Sequence, residues 1–200
     1  MKQLIVYCFA FLLASTSCKK TVHEMIDVSS SGSSSINNEF TKYTIKAGQH
    51  SADLNNYKVV DVSQMKFIVR FDSSAIYTSN SKENQYDINK LYGFSDNDAN
   101  HHQFSARIGW RWSDNALRLF AYVYNDAAVI SKELGIVSVG DEISCSIKIA
   151  GSQYLFTVNE YNEVLRRASK TSSGKGYQLY PYFGGDESAP HDVNIWIKNL

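Results

Sequence analysis

The chain has 200 residues, 44% hydrophobic and 13% aromatic, and its twenty basic and twenty acidic side chains give a formal net charge of zero. That length builds one substantial core, and a neutral chain sets up no global field for nucleic acid, so DNA or RNA binding is excluded as a primary role. Thirteen tyrosines against two prolines suit a sheet-rich chain.

The chain opens with Met1-Lys2, an apolar run from Leu4 to Leu13, and Ala14-Ser15-Thr16-Ser17-Cys18-Lys19-Lys20. The apolar run is too short to span a bilayer as a mature helix. A basic start, a short apolar segment and a Cys after small residues resemble a bacterial lipoprotein signal peptide. Ser15 stands where the usual lipobox has Leu, a looseness found in Bacteroidetes-type lipoproteins. The resemblance implies removal of residues 1–17, a lipid on Cys18 and a location in the cell envelope; the alternative is ordinary secretion with cleavage near Ala14 to Ser17. Surface-exported lipoproteins of that kind tend to be acidic after the Cys, so Lys19-Lys20 favours periplasm-facing attachment. Removing residues 1–17 leaves 183 residues with nineteen basic and twenty acidic side chains. Residues 18–38, with the serine-rich run Val28 to Ser35, read as a tether that buries little.

A β-domain is expected over residues 39–200. Phe40 to Lys46 and Met65 to Phe71 read as strands. Tyr86 to Leu91 and Ala127 to Leu134 offer room for short helices. Phe104 to Trp112 alternates clearly, with Phe104, Ala106, Ile108, Trp110 and Trp112 inward and Ser105, Arg107, Gly109 and Arg111 outward. Leu117 to Tyr124 follows after the turn Ser113-Asp114-Asn115-Ala116, which predicts an antiparallel hairpin. A second hairpin joins Ile143–Ile149 to Tyr154–Val158, and further strands are expected at Tyr177 to Phe183 and Val193 to Ile197. Cys145 alternates with Ile143, Ile147 and Ile149, which reads as a buried apolar residue; with Cys8 removed and Cys18 acylated, no intramolecular disulfide can form. Antiparallel strands with few helices predict an all-β, two-sheet sandwich.

The segment Val137-Ser138-Val139-Gly140-Asp141-Glu142-Ile143, with Ile147-Lys148-Ile149-Ala150-Gly151 and Tyr154-Leu155-Phe156-Thr157-Val158-Asn159, resembles the central hairpin of concanavalin A-like jelly rolls. The C-terminal order of aromatic strand, Gly-rich loop and alternating strand is similar to jelly-roll lectins and alginate-lyase-like polysaccharide lyases. That resemblance implies a last strand near the first, and a groove over one curved sheet.

Arg70, Arg107, Arg111 and Arg118 share an outward parity with Tyr122, Tyr124, Tyr180 and Tyr182. Aromatic rings stack on sugar faces and guanidinium groups take carboxylates in two-pronged fashion, so gathering these residues would select an acidic polysaccharide or oligosaccharide. The alternative is that they belong to different sheets and cover strands. The leading expectation is a carbohydrate-binding jelly-roll lipoprotein, tethered to the membrane through its lipid anchor. A polysaccharide lyase is the second, with Arg107 or Arg111 neutralising a uronate, His102 or His191 as base and Tyr180 or Tyr182 as acid. A structural envelope lipoprotein binding a protein partner is the third. No Glu-x-Asp-x-x-Glu strand appears, so paired-carboxylate hydrolysis lacks its sequence anchor. No cofactor is expected beyond a structural Ca²⁺ that Asp186, Glu187 and Asp192 could hold; the alternative is an elaborate turn. Asp96-Asn97-Asp98-Ala99-Asn100-His101-His102 lacks EF-hand spacing and reads as a solvated loop.

Overall fold

The computed structural model describes residues 39–200. The signal segment, Cys18 and the tether lie outside the described residues. The described strands are β1 (Thr41–Ile45), β2 (Val59–Val62), β3 (Gln64–Phe71), β4 (Asn89–Ser95), β5 (Phe104–Ser113), β6 (Ala116–Asn125), β7 (Ala128–Val137), β8 (Ile143–Ala150), β9 (Gln153–Val158), β10 (Tyr161–Arg166), β11 (Gly174–Leu179) and β12 (Val193–Asn199). They form two antiparallel six-stranded sheets, ordered β1-β12-β3-β8-β9-β10 and β2-β11-β4-β5-β6-β7. The first and last strands pair, Thr41 opposite Ile197 and Ile45 opposite Val193.

The two-residue period dictates the layering. Phe67, Val69, Phe71, Ile147, Phe156 and Ile195 of the first sheet meet Phe94, Ile108, Leu119 and Val123 of the second, all fully buried. Trp110 closes one end of this core, its ring 5.4 Å from Phe71 and edge-on to Tyr77 at 5.8 Å. Each such side chain contributes on the order of 1.5–3 kcal/mol by leaving water. Cys145 is buried, and burial pushes its thiol pKa up.

Neither expected helix forms. Ala127 to Leu134 begins with two alanines, yet from Ala128 onward it belongs to β7, because Asp126 (φ 51°) and Ala127 (φ 64°) make a two-residue turn that folds the chain back onto β6. Tyr86 to Leu91 is divided between a single 3-10 turn, Asn84–Tyr86, and the start of β4. A bulge between Lys90 and Tyr92 turns Leu91 and Tyr92 inward in succession, which breaks the alternation.

The expected solvated loop at 96–102 also needs correction at its first residue. Asp96 is fully buried and takes two hydrogen bonds from the Arg167 guanidinium, from Nε at 2.7 Å and NH2 at 3.0 Å. The Tyr154 hydroxyl donates to it at 2.5 Å, the Thr171 hydroxyl at 3.1 Å and the Asn97 amide at 2.7 Å. Arg167 donates further to the carbonyls of Thr171 and Ser173. The carboxylate thus pins the segment after β10 against the end of β4.

Candidate functional site

The outer face of the second sheet carries two adjoining hollows of about 280 and 290 Å³ that share Arg107, His101 and Tyr182. Arg107 of β5 forms their floor, in register between Gly93 of β4 and Tyr122 of β6. Any β-carbon at Gly93 would come 2.8 Å from Arg107 Cγ, so glycine leaves the space that the arginine stem needs. The guanidinium lies 5.5 Å from the Tyr122 ring centroid. It is 5% exposed, Nε has no hydrogen-bond partner, and no carboxylate pairs with it among the described residues. Burial weakens its hold on the proton, but a guanidinium stays charged in proteins. A buried charge without a counter-ion is costly, and an acceptor supplied from solution would relieve it.

A second cation stands beside it. Lys90 points its Nζ to the Gly184 carbonyl at 3.1 Å and lies 5.3 Å from the Tyr122 ring. Burial first, and repulsion from Arg107 second, lower its pKa to about 8. His101 is pushed down to about 4 by burial, with Arg107 and His102 adding repulsion, so its imidazole is neutral at pH 7. The Tyr177 hydroxyl accepts from the His101 amide at 3.1 Å and lies 2.8 Å from Nδ1.

Aromatic rings wall this floor. Tyr122 and Tyr124 meet edge-on at 5.8 Å, and His102 lies 5.4 Å from Tyr124. Tyr182 stacks on His50 at 5.3 Å and 16°. Tyr57, 76% exposed, packs on Tyr177 at 5.6 Å and extends the rim. The carboxylates that border the hollows are Asp186 and, further along, Asp87.

The structure therefore brings together Arg107, Tyr122, Tyr124, Tyr182 and His102 of the residues singled out by sequence. Arg111 and Arg118 share the face but are engaged at its far end. Arg111 stacks on Phe120 at 4.7 Å and donates to the Tyr86 carbonyl at 2.8 Å, while Arg118 pairs with Glu133 at 2.8 Å. Arg70 is a correction: it lies on β3, in the other sheet, over Phe40 and Trp196. Tyr180 is another. It packs inward on Tyr43 and Tyr92, because it lies alongside the β4 bulge, and Tyr182 turns outward two residues later beside Lys90. His191 points Nε2 at the Ser74 carbonyl, 2.9 Å away and outside these hollows.

The three carboxylates proposed for Ca²⁺ do not converge. Asp192 binds Lys46 at 2.7 Å, and Glu187 accepts from the amides of Asn80 and Ser81. Asp186 faces the groove, and no acidic or metal-ligating cluster of three forms among the described residues. Asp192 and Glu187 act as loop staples. Lys90, His101 and Tyr177 escaped the sequence reading. The signal for Lys90 was its place three residues before an outward glycine, and it was masked by the bulge.

No family model and no curated relative matches this chain. Solved structures do. An alginate lyase, AlyC3, superposes with a TM-score of 0.55 at 14% identity, covering 82% of this chain and 74% of that one. A Bacteroides ovatus glycoside hydrolase family 16 enzyme for mixed-linkage glucan gives 0.51 at 9% identity, covering 82% of both chains. The catalytic domain of a laminarinase from Thermotoga petrophila gives 0.51 at 10% identity, covering 81% of this chain and 76% of that one. At such identities the likeness shows architecture alone, and that architecture is the two-sheet jelly-roll sandwich.

Proposed function

We propose that the groove binds an acidic polysaccharide, with Arg107 gripping the carboxylate of a uronate residue while Tyr177, Tyr182 and Tyr57 offer rings to sugar faces. The chain would do so in the cell envelope, anchored through a lipid on Cys18. One observation carries this reading: a guanidinium at the floor of an aromatic groove, 5% exposed and without an acceptor for its Nε among the described residues. A charge-assisted, two-pronged contact there is worth about 1.5–3 kcal/mol. The AlyC3 complex with dimannuronate, on the same fold, supports an acidic glycan as the ligand class.

Affinity electrophoresis of residues 35–200 through gels carrying alginate, polygalacturonate or neutral laminarin tests the proposal. Retardation is expected in the acidic gels only; equal mobility in every gel removes it. Lys90 adds a pH signature. Its ammonium favours a bound carboxylate, so affinity should fall as pH rises through about 8, where Lys90 loses its proton. Affinity that stays level from pH 7 to pH 9.5 would take Lys90 out of the site.

A second reading, polysaccharide lyase, is favoured by the neutral imidazole of His101 beside Arg107. In β-elimination Arg107 would neutralise the carboxylate and a histidine would take the α-proton. The electron pair then forms the C4–C5 double bond as the C4–oxygen bond breaks, and a tyrosine hydroxyl protonates the leaving oxygen. His102 or His101 and Tyr182, Tyr122 or Tyr177 stand around one floor for these roles. Ultraviolet absorbance rising with time in alginate or polygalacturonate would establish this reading; a flat trace beside gel retardation leaves the binder.

A further inference from the structure

The face that took Arg70 away from the groove has a chemistry of its own. Outward positions of the first sheet follow from register. Lys42, Trp196 and Arg70 form one row across β1, β12 and β3, and Lys198 lies opposite Ile68. Lys66, Ser146, Thr157 and Asn162 form a further row, and Gln64, Lys148, Leu155 and Val164 another; Arg166 of β10 ends the face. Lys42, Lys66, Arg70, Lys148, Arg166 and Lys198 thus share one surface, and no outward position on these six strands is Asp or Glu. The one acidic residue within the strands, Glu163, has inward parity and pairs at the edge with Lys132. None of the six cations is ion-paired among the described residues; Lys42 and Arg70 lie over Trp196, and Arg70 and Lys198 over Phe40. In a chain with equal numbers of basic and acidic side chains, this face carries six cations and no outward acid on its strands.

We infer that this face docks on an anionic lipid surface. The cations are spread in two dimensions over six strands, about 24 Å between the outer strand axes. A plane of headgroups matches that spread, whereas a single glycan strand would meet one row. Trp196, Phe40 and Ile68 supply the amphipathic and apolar contacts that settle at headgroup depth, with lysine stems lying among them. The chain also enters the domain here: Phe40 immediately precedes β1, the edge strand of this sheet, and the segment bearing Cys18 leads into it. The inference is independent of the groove, which opens on the other sheet.

Residues 35–200 form a compact unit that contains the whole described core, so they can be tested without any lipid. The probe is sedimentation with vesicles of phosphatidylcholine alone or with added phosphatidylglycerol, at low and physiological ionic strength. Binding is expected only to the phosphatidylglycerol vesicles, weakening with salt. The combined variant K66E/K148E/K198E should bind them at least about 100-fold less tightly, each basic residue near such a surface being worth about 1 kcal/mol. K58E/K82E/K170E, with the same change of charge on exposed residues away from the strands of this sheet, should keep most of the binding. K66Q/K148Q serves if the triple reversal lowers the unfolding midpoint. Equal losses in both triple variants, or no binding to phosphatidylglycerol vesicles, overturn the inference. Loss of alginate retention in K66E/K148E/K198E alone would assign the face to a glycan and overturn it as well.

Discussion

Asp96→Ala is expected to cost residues 35–200 about 3–5 kcal/mol in denaturant unfolding, the usual result of removing one partner from a buried ion pair. Both side chains are sealed from solvent, at 0% and 2% exposure. Without the carboxylate, the Arg167 guanidinium keeps only neutral acceptors, the carbonyls of Thr171 and Ser173 and nearby hydroxyls, and the Tyr154 hydroxyl loses its acceptor. Asp96→Leu combined with Arg167→Met should recover part of the loss, because it removes the stranded charge together with its partner. Acid provides a second reading of the same contact. Burial pushes the Asp96 pKa up, but hydrogen bonds from Arg167, Tyr154 and the Asn97 amide outweigh it, leaving the carboxyl below its ordinary value. A folded-state pKa below that of the unfolded chain, about 3.9, means that the unfolded state binds the proton first. The contribution is therefore complete above the unfolded value and disappears as pH falls through the lower folded one. Asp96→Asn should lose that part of the acid dependence; an unchanged stability profile from neutral pH to pH 2 would show that the carboxylate carries no net charge-dependent stabilisation.

The layered sandwich was legible wherever one face of a strand is buried and the other is not. β8 and β9 alternate cleanly between buried and open positions, β5 and β6 alternate in residue type although the groove residues bury much of their outer face too, and Asp114-Asn115 supplies the two positive φ angles that a tight hairpin requires. β10 gave no such signal, because it is an edge strand with Leu165 as its buried residue. β4 was hidden by its bulge, and β7 by an alanine occupying a left-handed turn position where Gly or Asn is usual. The site was legible by parity and illegible by neighbourhood. Alternation identified Arg70 and Arg107 as outward, but outward from which sheet depends on strand order, which local periodicity does not encode. The inward-turned ring of Tyr180 has the same origin as the missed Lys90: one extra residue in β4 reverses the parity of everything beyond it and of the chain alongside. Asp96 failed for a different reason. Its partner Arg167 lies 71 residues away, so a run of loop-forming residues gave no hint of a buried ion pair.

Arg107→Met is expected to weaken acidic-glycan binding about 10–100-fold, the equivalent of one charge-assisted contact, without lowering the unfolding midpoint. Most buried arginines cannot be truncated so safely, because their hydrogen bonds are lost. Among the described residues no acceptor takes a hydrogen bond from the Arg107 side chain, and its buried Nε is already without a partner. Methionine has a similar unbranched stem and keeps a polarizable atom near the Tyr122 ring, so packing over Gly93 is preserved. Removing the charge also lifts a repulsion. Lys90 should regain part of its ordinary basicity, rising from about 8 but not fully, since burial is the larger cause of its shift; His101 should rise from about 4 for the same reason. Titration of both groups in the variant, by NMR, separates the roles that this arginine could have. A glycan-binding group leaves stability intact, shifts both neighbours upward and reduces gel retardation in line with that weakening. A structural group would instead lower the unfolding midpoint by several degrees and leave retardation in place. Arg107→Lys sharpens the distinction, because it keeps the charge and gives up the planar fork: intermediate affinity would show that geometry as well as charge selects the carboxylate.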